Sequence, residues 1–146
     1  DRLYGDVLDA YGHPDGDWKV HARALSHAYV DVAAAHPLAV SLLISPASDS
    51  ANAEEFDARI VGAAQLMTSD PRTGALAFST VACWVIGTLV QEHGLMHTAT
   101  PRASEADEDE QVSTLRSAAE SLSTADRFNE GLETVLAGLE ARYFPS

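Results

Sequence analysis

Apolar residues recur along this chain at every third or fourth position and nowhere alternate in a long β-branched run. That period predicts helices and no sheet. The clearest stripe is Trp18, Ala22, Leu25, Tyr29, Val32 and His36, spaced 4-3-4-3-4. Asp17 caps this long helix, and Pro37 stops it by pushing the preceding residue out of helical geometry. Ahead of it, Leu3, Tyr4, Val7 and Leu8 mark a first helix over about 1–11. That helix starts with no capping residue before it and ends in the breaker run Gly12-His13-Pro14-Asp15-Gly16.

A short apolar helix or turn follows over 38–44, then a polar loop. Asn52 and Glu55 stand at capping-box spacing for a helix carrying Phe56, Ile60, Ala63, Ala64 and Met67, which ends near Thr68. Asp70-Pro71 reads as the cap and first residue of the helix that organises the chain, over about 74–96, with Gly94 as its left-handed terminus. Residues 98–110 hold Pro101 and a run of acids and predict a solvated, mobile acidic loop. A weak helix over 111–122 carries Val112, Leu115, Ala119 and Leu122. The last helix, capped by Ser123 or Asp126, shows Phe128, Leu132, Val135, Leu136, Leu139 and Tyr143 at helical spacing. The expected fold is all-α, with about six to seven helices over residues 1–146.

The 74–96 helix is the exceptional one. Positions 75–90 carry no charge and are apolar on two faces: Phe78, Val81, Val85 and Leu89 on one, Leu76, Cys83, Ile86 and Val90 on the other. A helix apolar all round must be covered all round. Sixteen uncharged residues fall short of the roughly 20 that cross a bilayer, so the expectation is no membrane partner. One face is expected in the interior and the other against a second copy of the chain. In the last helix Gly131 and Gly138, seven apart, share a face that would let another helix approach closely.

Charge narrows the function. With 22 Asp+Glu against 9 Lys+Arg, the formal net charge is -13, and clustered cations for phosphate contacts are missing. The single cysteine excludes a disulfide framework, and with no leader pattern a cytoplasmic setting is expected. His93 and His97 with Glu92 have the spacing of paired metal ligands. Gly94 breaks their shared face and no third ligand is evident, so no metal or cofactor is assigned. A small helical-bundle metal-dependent enzyme using histidines is the alternative, although no nucleophile constellation or phosphate-cradling loop supports catalysis.

The segment from Asp126 through Phe128, Gly131-Leu132, Leu136, Gly138-Leu139-Glu140 to Ala141 resembles the closing helix of TetR-type transcriptional repressors. Asp17-Trp18 opening a long helix, His36-Pro37 closing it, and Trp84-Val85-Ile86-Gly87 inside the apolar helix are similar in order. The resemblance implies the effector-binding and dimerisation domain of such a regulator: a homodimer through a four-helix bundle, with a small-molecule effector that releases the parent protein from DNA. It also implies that residues 1–11 are the linking helix. The helix-turn-helix domain that precedes it in the family is not in this sequence, so DNA would be reached only through that domain. Tetracycline-responsive members place a metal-liganding histidine after the short helix. Residues 41–50 hold none, so a tetracycline–magnesium effector is not carried over.

Within that frame the expected ligand-binding residues are His27, Tyr29, Gln65, Leu66, Phe78, Cys83 and Ile86, with Arg23 beside His27 able to orient an acidic or carbonyl-bearing ligand. The expected dimerisation residues are Phe128, Gly131, Leu132, Val135, Gly138 and Leu139.

Overall fold

A computed structural model describes residues 2–12, 14–43, 50–93 and 110–144. Of the expected 98–110 acidic loop only Glu110 is described, as the first residue of a helix; residues 98–109, Gly94 and His97 lie outside the described residues. Among the described residues seven α-helices follow in order: α1 (Arg2–Tyr11), α2 (Trp18–Ala35), α3 (Val40–Leu43) entered through a 3-10 turn at Pro37–Ala39, α4 (Ala51–Met67), α5 (Pro71–Glu92), α6 (Glu110–Ser121) and α7 (Thr124–Tyr143). Among the described residues there is no strand. The domain is all-α, as its apolar period requires.

The helix ends follow local chemistry. The Asp17 carboxylate accepts the Lys19 and Val20 amides at 2.9 and 3.1 Å. Asp70 accepts those of Arg72 and Thr73, with Pro71 in the first turn, where a missing N–H costs nothing. Hydrogen bonds from Thr73, side chain before backbone, hold the Asp70 carboxyl below its ordinary value. Gly12, at φ 61°, ends α1 in the left-handed conformation that a Cβ disfavours. The cap of α4 differs from the capping-box expectation. Ser50 holds it, its Oγ accepting the Ala53 amide at 3.2 Å, which starts the helix ahead of Asn52.

α5 runs through the middle. Its inner stripe of Gly74, Ala77, Val81, Val85 and Leu89 is buried; α2 and α4 pack on one side and α7 on the other. At 22 residues with mean hydropathy 1.7, α5 is long and apolar enough to cross a membrane. Residues 75–90, which carry no charge, lie within it, and its buried stripe belongs to the core. α1 lies across α2 and α4 through Tyr4, Val7 and Tyr11. α2 is fastened to α7 by Lys19–Glu140 at 2.6 Å and by Arg23 Nε and Nη2 on the Glu133 carboxylate at 2.5 and 2.7 Å. Trp18 against Phe144 completes that seam.

Candidate functional site

Where α2, α4 and α5 diverge, a partly open cleft of about 160 Å³ remains. From α2 it is lined by Ala22, Leu25, Ser26 and Tyr29, from α4 by Phe56 and Ile60, and from α5 by Phe78, Val81, Ala82, Val85 and Ile86. These sets are consecutive turns of single helix faces, which is why one cavity can gather them. No lining residue carries a formal charge. Two hydroxyls are present. That of Tyr29 donates to the Leu43 carbonyl. Burial, then the neighbouring Tyr4 hydroxyl with which it shares a hydrogen bond, push Tyr29 far above the ordinary tyrosine range. Ser26, 3 % exposed, supplies the other hydroxyl.

The cleft is joined to α1 by rings. The Phe56 centroid lies 5.8 Å from Tyr29 and 5.3 Å from Tyr4. Two residues of the cleft wall therefore touch the buried aromatic of the first helix.

Of the expected ligand-binding residues, Tyr29, Phe78 and Ile86 meet at this cleft. The other four lie elsewhere, for a common geometric reason. His27 is two positions from Tyr29, about 200° around the helix, and its exposed ring packs edge-on against Phe128 of α7 at 5.5 Å. Arg23 on the same side is held by Glu133, whose hydrogen bond keeps the guanidinium protonated. Cys83, five positions from Phe78, is rotated by about 140° and exposed. Gln65 and Leu66 are exposed, outside the Phe56–Ile60–Met67 stripe. The eight other lining residues, Ala22, Leu25, Ser26, Phe56, Ile60, Val81, Ala82 and Val85, were not among the expected ligand contacts. The spacing of 22, 25, 26 and 29 around Tyr29 was the available signal.

The α5–α7 surface also departs from expectation. Phe128, Leu132 and Leu139 are buried in their own subunit at 3, 1 and 7 % exposure. They are therefore core of this chain and not free contacts for another. Val135 is half-buried against the same core. Gly131 is filled from within: a Cβ there would lie 1.9 Å from Trp84 Cζ2. Only Gly138 stands open, with nothing within 4 Å. Exposed positions on this pair of helices include Leu76, Thr80, Cys83 and Gly87 on α5, and Thr134, Ala137, Gly138 and Ala141 on α7, with the charged Arg72, Arg127 and Glu130 on the same helical faces towards the helix starts. Away from those charged positions the side chains are uncharged and most are small.

A second cleft of about 410 Å³ opens between the end of α5 and the start of α7, among Trp84, Thr88, Gln91, Glu92, Thr124, Arg127 and Phe128. The buried Trp84 Nε1 has no hydrogen-bond partner among the described residues. Nor do three His, Cys, Asp or Glu side chains come together among them to hold a metal ion.

Residues 12–143 match the family model described as the tetracyclin repressor-like C-terminal domain. The chain belongs to that family. It is therefore the C-terminal domain of a TetR-family transcriptional regulator, and the match covers every helix but α1. No curated protein and no solved structure matches the chain.

Proposed function

We propose that this domain binds a small, mostly apolar effector in the α2–α4–α5 cleft and dimerises through the outer face of α5 and α7, so that the effector controls the DNA affinity of the full-length cytoplasmic regulator. The observation that carries this reading is the charge-free cleft walled by Tyr29, Phe56 and Phe78. Such a lining binds by burial of apolar area, at roughly 25 cal/mol per Å², and offers no groups for chemistry. The protein acts by binding and not by catalysis.

Transmission follows from the rings. An occupant pressing on Phe56 or Tyr29 presses on Tyr4, and through it on α1, the linking helix to a DNA-reading domain. Two conformations of α1 with different effector affinities suffice for control. The dimer follows from the outer face. A mostly small-residue surface over the middle of α5 and α7 would pair with its copy about a two-fold axis as a four-helix bundle. Gly138, Ala137 and Ala141 allow close approach there, a role shifted from the inward-turned Phe128, Leu132 and Leu139.

The test is a thermal-shift screen of the purified chain with hydrophobic compounds, repeated on Phe78→Trp. Hits that raise the melting temperature of the wild type and not of the variant support the cleft. A screen without hits, together with a Phe78→Trp chain that cannot fold, removes it. Light scattering should give about twice the 15.5 kDa chain mass; a monomer at micromolar concentration removes the dimer.

A further inference from the structure

We infer that the effector is an uncharged single-ring molecule carrying no more than one hydroxyl, a specification that rests on the α2–α4–α5 cleft being the effector site. Three features of the cleft set this class.

The first is size. About 160 Å³ is close to the roughly 150 Å³ of an apolar cavity that takes up benzene. One ring fills it, whereas a fused or linked second ring must either stand out of the open mouth or displace a wall. Tyr29, Phe56 and Phe78 offer ring faces and edges from three helices, the geometry in which an aromatic guest gains beyond area burial.

The second is charge. α2 carries Lys19, Arg23 and His27 at four-residue spacing, and all three face α7: Lys19 on Glu140, Arg23 on Glu133, His27 on Phe128. The adjoining side of α2, whose Ala22, Leu25, Ser26 and Tyr29 line the cleft, has no cation or anion. A carboxylate or ammonium entering it would lose its hydration without a partner. Charged isosteres are therefore rejected by the same folding contacts that fasten α2.

The third is the number of polar groups. The Tyr29 hydroxyl is already engaged by the Leu43 carbonyl and by Tyr4. Ser26 is the remaining lining hydroxyl, and it can satisfy one guest hydroxyl.

The experiment is calorimetric titration and thermal shift of the purified chain with toluene, p-cresol, benzoate, benzylamine and 2-naphthol. Toluene and p-cresol at about a hundredfold excess over Kd should raise the melting temperature by roughly 5–10 °C; benzoate and benzylamine should leave it unchanged. Ser26→Ala should weaken p-cresol by roughly 2- to 12-fold and leave toluene as it was. Ile86→Trp, placed at the half-exposed rim so that it folds, should abolish both. If benzoate, benzylamine or 2-naphthol binds better than toluene, and Ile86→Trp blocks it, the class is wrong and the effector cleft stands. If p-cresol is insensitive to Ser26→Ala, the hydroxyl assignment is overturned. If none of these probes binds and the wider hydrophobic screen is also empty, the cleft reading falls with the class.

Discussion

Two glycines in one helix should respond oppositely to the same substitution. Gly131 and Gly138 both lie inside α7, so alanine at either gains helix propensity of about 1 kcal/mol. At Gly138 nothing in its own subunit lies within 4 Å of the new Cβ, and in the monomer the gain should appear undiminished. At Gly131 the Cβ would fall 1.9, 2.4 and 2.7 Å from Cζ2, Cη2 and Cε2 of Trp84. Normal carbon contact needs roughly 3.5–4.0 Å. The indole must retreat by about 1.5 Å or more, giving up its seat on α7, and overpacking of this kind costs about 1–3 kcal/mol. Because the propensity gain is common to both, the difference between the variants isolates the steric cost. It should be about 1–3 kcal/mol, or roughly 2–12 °C in melting temperature, measured on the monomer in dilute solution so that association does not enter. Trp84→Leu should erase the penalty at Gly131 in a double-mutant cycle. Equal stabilisation by both alanines would refute the seating of Trp84 on Gly131.

Trp84→Phe should cost less than its lost area suggests, because it also removes a buried N–H without a partner, worth about 1–3 kcal/mol when unsatisfied; urea unfolding measures this. Leu132→Arg places a charge at a 1 %-exposed core position and should unfold the chain by circular dichroism, whereas Gly138→Arg should leave it folded and convert the dimer to monomer by light scattering. For Tyr29 the folded-state value is raised above the unfolded one of about 10. Its contribution to stability is therefore whole below pH about 10 and declines as pH climbs beyond it toward the folded value. Tyr29→Phe should flatten that alkaline limb while losing about 1–3 kcal/mol at neutral pH, since the Leu43 carbonyl is left without its donor.

Helix identity and most helix ends were written into the sequence. The 4-3-4-3-4 stripe of α2, its Asp17 cap, the Pro37 stop, the Asp70-Pro71 start of α5 and the Ser123 cap of α7 are all local. Each is decided by the residue and its neighbours within one turn, so one-dimensional reasoning reaches them. The inward face of α5 was legible in the same way, because Val81, Val85 and Leu89 recur at the helix period. The closing helix carried enough of the TetR-type pattern to point to the family.

Only the tertiary structure decided which partner each face meets. His27 is chemically the attractive ligand group, yet it sits about half a turn from Tyr29 and packs on Phe128. Cys83 is apolar and central in the sequence, yet it points out of the cleft. Periodicity gives angles about a helix axis, not which neighbour lies at each angle. The same limit moved the dimer face. Phe128, Leu132 and Leu139 are the strongest apolar positions of α7, and for that reason they are claimed by their own subunit's core. What remains outside is the weaker, small-residue side around Gly138, which no hydrophobicity scale would rank first. Gly131 and Gly138 look equivalent in the sequence. The difference between them is an indole that reaches one and not the other, and that contact exists only once α5 lies against α7.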